Sequence, residues 1–186
     1  MDDKQIIQLF FDRNEKAIEA TADKYGNYCN SIAFNILSNS EDAEECVNDT
    51  YVKAWNSIPP SKPSELRTFL GKITRNLAFD VYKKKKTEKR GGGQIDVLLD
   101  ELAECIPGGN EPDKEYDKKE LQNDINDFLG CIDKEKSALF VRRYWYSESI
   151  TKIADRYHMS ENRVSVTLNR IRKKLHNYLA ERGYDV

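Results

Sequence analysis

Between Ile150 and Leu179 the apolar residues fall into two helical stripes of unequal length, separated by three residues. Ile150, Ile153, Ala154 and Tyr157 make one face of a short helix. His158-Met159-Ser160 interrupts the spacing, and Ser160 is suited to cap a second helix. In that helix Val164, Leu168, Ile171 and Leu175 recur at i, i+4, i+7 and i+11, a single stripe to bury. At about 100° per residue, Asn162, Val166, Asn169, Arg170 and Lys173 lie on the opposite side. A short helix, a tight turn and a longer helix with amides and arginine outward is the pattern of a helix-turn-helix reader of the DNA major groove. Asparagine suits adenine edges, and arginine suits guanine edges or phosphate. The same spacing also fits a plain helical hairpin with a solvated polar face. The basic run Arg170, Arg172, Lys173, Lys174 adds only modestly to the DNA reading.

The chain has 186 residues, 39% of them apolar and 33% charged. That composition suits small helical domains with thin cores better than one large core. The net charge of −2 hides four blocks. Residues 1–66 carry −6, 67–90 carry +7, 91–135 carry −9 and 136–186 carry +6. Two basic blocks flanking an acidic one point to two contacts with a polyanion. Cys29, Cys46, Cys105 and Cys131 are far apart, and there are only two histidines, His158 and His176. Neither a zinc site nor any other cofactor is expected, and free buried thiols fit a reducing compartment. No apolar run approaches a membrane span, and the N-terminus lacks a signal peptide's basic start. The expected location is cytoplasmic, with no membrane insertion.

Residues 4–37 read as two helices with a break near Gly26-Asn27. Ser40 can cap the next helix, whose buried stripe is Ala43, Val47, Tyr51, Ala54 and Trp55. Opposite lie Asp42, Glu45, Asp49 and Val52, an acidic face that is either solvated or a dock for a basic partner. Prolines 59, 60 and 63 then exclude helix. A helix over 64–86 has Leu66, Leu70, Ile73, Leu77 and Val81 inward. Lys72, Arg75, Asn76, Phe79, Lys83 and Lys86 fall near its opposite pole. Cations to follow a backbone, a ring to stack on a base and an amide to read an edge suit melted nucleic acid. A lysine-rich helix end with Phe79 under a loop fits equally well. Residues 87–112, with glycine, proline and acids, read as a mobile linker, with room for a short helix at 95–104. Helices resume from about Asp113, with Tyr116, Leu121, Ile125, Phe128 and Leu129 on one face. Asp133 caps the next, with Ala138, Leu139, Val141, Tyr144 and Trp145 inside.

In this order the segments resemble sigma factors of bacterial RNA polymerase, of the small two-domain extracytoplasmic-function type. DAEECVNDTYVKAW (42–55) is similar to that family's helix for docking on the polymerase clamp. LRTFLGKITRNLAFDVYKK (66–84) is similar to its −10 element helix, and ITKIADRYHMSENRVSVTLNRIRKKL (150–175) to its −35 element helix-turn-helix. The resemblance implies an all-α chain. It has an N-terminal helical domain (1–88), a flexible acidic linker (89–115) and a C-terminal helix-turn-helix domain (116–186). It implies polymerase contacts at Asp42, Glu45, Asn48, Asp49 and Tyr51. It implies −10 contacts at Lys72, Arg75, Asn76, Phe79 and Lys83, with loop 57–65 helping to hold a flipped-out base. For −35 it implies Arg163, Ser165, Val166, Asn169, Arg170 and Lys173. Three departures stand out: Phe69 where the family usually has tryptophan, His158 in the turn, and Glu161-Asn162-Arg163 at the entry to the recognition helix.

The expected function is promoter recognition and strand opening as a dissociable polymerase subunit. The expected partners are core RNA polymerase, promoter DNA and an anti-sigma protein. No nucleophile–base pair or phosphate loop appears, so the chain is not expected to be an enzyme. A stand-alone helix-turn-helix regulator would have no use for the acidic face of 42–52. A recombinase or nuclease would need carboxylates clustered around a metal.

Overall fold

A computed structural model describes residues 1–88, 94–106, 118–184 and 186. All regular structure among them is helical. The chain divides into two compact units, Met1–Gly91 and Gly92–Val186. No described helix is long and apolar enough to cross a membrane.

The first unit holds α1 (Asp3–Phe11), α2 (Lys16–Leu37), α3 (Ser40–Ser57) and α4 (Leu66–Glu88). Asp2 and Gln5 form a reciprocal capping box at the start of α1. Ile6, Phe10, Ile32, Ile36, Ile58, Leu66 and Leu70 are fully buried or nearly so. Each such side chain stabilises the fold by roughly 1.5–3 kcal/mol. The first helical break falls at 12–15, not at Gly26-Asn27. Arg13 takes a left-handed backbone there (φ 53°). Its side chain lies 5.3 Å over the Trp55 ring and donates to the Trp55 carbonyl at 2.6 Å. Gly26 stays inside α2 because Tyr51 crosses it; a Cβ would meet the Tyr51 hydroxyl at 3.3 Å. Asn39, one residue before the expected Ser40, caps α3 by accepting from the Asp42 amide.

The inward stripe of α4 differs from the expected one. Leu66, Leu70, Gly71, Thr74 and Ala78 are buried, whereas Ile73, Leu77 and Val81 are only half-buried. Thr74 goes inside because its hydroxyl has partners there: it donates to the Leu70 carbonyl (2.9 Å) and meets Thr50 of α3 at 3.1 Å. The Cys46 thiol donates to the Thr74 carbonyl from the same side. Small residues let the helices approach closely. At Gly71 a Cβ would fall 2.3 Å from the Tyr28 hydroxyl, and the Tyr28 ring is in turn covered by Arg67 at 4.7 Å. Gly71→Ala gains about 1 kcal/mol of helix propensity, but overpacking costs about 1–3 kcal/mol. With the ring pinned on both sides we expect a net loss of about 1 kcal/mol in urea unfolding. A stabilised variant would show that the ring swings away freely.

The second unit holds α5 (Gln94–Ala103), α6 (Lys118–Cys131), α7 (Lys134–Tyr144), α8 (Ile150–Tyr157) and α9 (Glu161–Ala180). Asp133 caps α7, accepting from the Glu135 and Lys136 amides. One core joins Leu98, Cys105, Phe128, Leu139, Phe140, Tyr144, Ile153 and the α9 stripe. Part of the stretch expected as linker is therefore docked helix. Ile95 and Leu98 of α5 and Cys105 after it are buried. The apolar content that looked thin along the sequence is concentrated on one side of a helix. Tyr116, expected on the face of α6, and residues 89–93 and 107–117 lie outside the described residues.

Candidate nucleic-acid interface

In the first unit α3 buries Ala43, Cys46, Val47, Thr50, Tyr51 and Ala54. The opposite face exposes Glu45, Asn48 and Asp49, with Val52 58% exposed among them. Two expected partner contacts are placed differently. Tyr51 is buried against α2, so it supports the face from within. Asp42 is half-buried and ion-paired with Lys85 of α4, so its charge is already matched.

On α4, Lys72, Asn76 and Lys83 are exposed. Arg75 and Phe79 are half-buried and stacked, the guanidinium carbon 4.7 Å from the ring centroid. Burial pushes the Arg75 guanidinium below its ordinary pKa. The ring is thus not the open platform the spacing implied: one face already carries a cation. What α4 presents is two lysines and an amide around a cation-backed ring.

In the second unit the turn between α8 and α9 is built by local hydrogen bonds. Ser149 caps α8, accepting from the Lys152 amide at 3.1 Å. His158 ends the helix in the left-handed region (φ 52°), and the Met159 amide donates back to the Ala154 carbonyl. Ser160 caps α9 by accepting from the Arg163 amide at 3.2 Å. The Thr151 hydroxyl donates to Glu161 across the turn at 2.8 Å. Val164, Leu168, Ile171, Leu175 and Leu179 are buried. Arg163, Ser165, Val166, Asn169, Arg170 and Lys173 are all exposed. Val166, Asn169, Arg170 and Lys173 gather near the pole opposite the buried stripe, and Arg163 and Ser165 lie on its two flanks.

Arg172, counted in the basic run by sequence, faces inward with its side chain only 12% exposed. It donates to the Tyr144 hydroxyl at 2.8 Å, and that hydroxyl donates to Glu101 of α5 at 2.9 Å. Buried Arg143 donates to the same carboxylate through Nε (3.2 Å) and Nη2 (3.4 Å), and to the Glu148 carbonyl through Nη1. Burial, with the Glu101 charge adding to it, pushes the Tyr144 hydroxyl well above its ordinary pKa. Sequence reasoning missed this cluster: the spacing of α9 sets Arg172 nearer the buried stripe than Arg170, but nothing in it points to a carboxylate partner on α5. Among the described residues no group of three or more His, Cys, Asp or Glu is placed to hold a metal ion.

Comparison with known proteins finds a family match within the first unit. The family model for sigma-70 region 2 matches residues 22–88, which span α3 and α4 and most of α2. The ECF RNA polymerase sigma factor SigE of Mycolicibacterium smegmatis is 23% identical over 150 residues. That alignment covers 81% of this chain, and the chain spans about half of that relative, 56% of its length. A solved structure described as CnrH in complex with the cytosolic domain of CnrY aligns over 96% of this chain and 97% of that one, at 19% identity and a TM-score of 0.44. Residues 22–88 match the sigma-70 region 2 family model, and the chain as a whole is similar to an extracytoplasmic-function sigma factor.

Proposed function

We propose that the chain acts as a dissociable specificity subunit of bacterial RNA polymerase, which directs initiation at promoters by reading duplex −35 DNA and melted −10 DNA. The observation that carries this reading is the sigma-70 region 2 match over the very helices that present an acidic face and a basic face. The exposed α9 face supports a second DNA contact. Glu45, Asn48 and Asp49 of α3 dock on core polymerase. Lys72, Asn76 and Lys83 of α4, with the stacked Arg75–Phe79 pair, hold the unpaired −10 strand. Arg163, Ser165, Val166, Asn169, Arg170 and Lys173 of α9 meet the −35 groove. An anti-sigma protein that covers these faces is the regulator the family resemblance implies.

The work done is binding work. Unstacking a base costs a few kcal/mol, and contacts that exist only once the base is out offset that cost. Each base or phosphate contact of this kind contributes about 1–3 kcal/mol. Asn76→Ala should therefore slow opening while leaving the closed complex nearly intact. Arg170→Ala should weaken duplex binding about tenfold or more, and a template already melted around −10 should largely bypass its loss. Permanganate reactivity of thymines reads the first effect, and a gel shift on duplex promoter DNA reads the second. If Asn76→Ala lowered duplex affinity and left melting untouched, the assignment of the two faces would be wrong.

A further inference from the structure

The stretch 94–106 carries four acids, Asp96, Asp100, Glu101 and Glu104, and no base. It is not left in solvent. Leu98 and Cys105 anchor it in the core of the second unit, Ile95 is buried as well, and Glu101 engages Arg143, Tyr144 and, at 3.6 Å, Arg172. Glu104 lies 3.9 Å from the Arg172 guanidinium, yet its side chain remains 72% exposed. Its carboxylate shares a groove of about 360 Å³ with Asn169, Arg172 and Lys173 of α9. Two of those three are residues we assign to the −35 contact. A phosphate approaching Lys173 or Asn169 therefore enters beside a fixed negative charge. At the same place a cation on the reader helix, Arg172, is held inward by two carboxylates.

We propose that α5 and its following turn are an autoinhibitory strap on the recognition helix. Docked, the strap sets a negative edge along α9 and sequesters Arg172, which lowers affinity for duplex DNA. A partner that draws it off removes those carboxylates from the edge of α9 and frees a guanidinium on the helix flank. The mechanism is electrostatic: repulsion of phosphates weakens binding and is screened by salt. The inference rests on the reading of α9 as the duplex-contacting helix.

Fluorescence anisotropy of the full chain on a mixed-sequence duplex of about 30 base pairs tests it, since phosphate contact needs no particular promoter. Glu104→Gln removes the exposed charge and leaves the Glu101 cluster in place. It should tighten binding about fivefold at low salt, the order expected for one unit charge at about 4 Å in water. The gain should shrink as salt rises, because the Debye length falls from about 10 Å at 0.1 M to about 3 Å at 1 M. Glu120→Gln, an exposed acid on α6, should leave affinity unchanged. Arg170→Ala is the companion arm. If it weakens binding while Glu104→Gln has no effect, or no more effect than Glu120→Gln, the strap is overturned and the α9 reading stands. If Arg170→Ala leaves binding unchanged, the α9 reading fails and the strap falls with it.

Discussion

Glu101→Ala lowers the stability of the second unit by about 3 kcal/mol or more. The reason is the position of its partner rather than its own exposure. Arg143 is 2% exposed, and among the described residues Glu101 provides its carboxylate contact, through Nε and Nη2. Removing one member of a buried pair leaves an uncompensated charge, a change that typically costs about 3–5 kcal/mol. The Tyr144 hydroxyl loses its hydrogen bond to Glu101 in the same step. Glu101→Gln should cost less, because an amide oxygen still accepts one hydrogen bond. Since the two units need not unfold together, the measurement wants a local reporter. Trp145 provides one in a Trp55→Phe background, Trp145 lying in the second unit and Trp55 in the first. Urea unfolding followed by Trp145 fluorescence should shift well below the parent midpoint. A loss under about 0.5 kcal/mol, the range of ordinary surface changes, would contradict the buried-pair account.

On the proposed function, reversing both charges of the α3 face, Glu45→Lys with Asp49→Lys, should abolish docking on core polymerase. Both side chains are exposed, and the helix packs through the opposite stripe, so the fold should survive within about 0.5 kcal/mol. Truncating one member of a close interfacial charge pair costs about 2–5 kcal/mol, and reversal adds repulsion. The combined loss in affinity should exceed about a hundredfold. Asp42→Asn should do much less to docking, because Lys85 already holds that carboxylate. Size-exclusion co-elution with core polymerase, at matched circular dichroism, measures both. Undiminished co-elution of the doubly reversed chain would remove α3 from the interface.

The helix-turn-helix was legible in the sequence almost to the residue. The two stripes have clean helical periods, and Ser149 and Ser160 are capping residues in capping positions. The exposure of the outer α9 residues followed from the same periods. The inward side of α4 was less legible, because Thr74 and Ala78 compete with the larger Ile73, Leu77 and Val81. Periodicity favours size, whereas close approach of α2 and α3 favours small side chains and a threonine with hydroxyl partners. A short helix at 95–104 was allowed by the sequence, but its docking as α5 and the ion pairs that hold Arg172 inward were not legible. Their warrant is a carboxylate on α5 that three side chains of α7 and α9 share, and spacing within one helix carries no information about a partner so distant in sequence. Glycine, proline and acids had marked 87–112 as linker, but Leu98 and Cys105 decide the place of 94–106.

On the proposed function this chain gives core polymerase a choice of promoters. Core polymerase free of other sigma subunits can be supplied with the chain and with genomic DNA of its own source, and the 5′ ends of the transcripts mapped. The account predicts discrete start sites that appear only with the chain present. They share one −35 and one −10 sequence, and they vanish when Glu45 and Asp49 are reversed. Transcripts starting at the same positions with and without the chain, or no stable association with core polymerase, would contradict it.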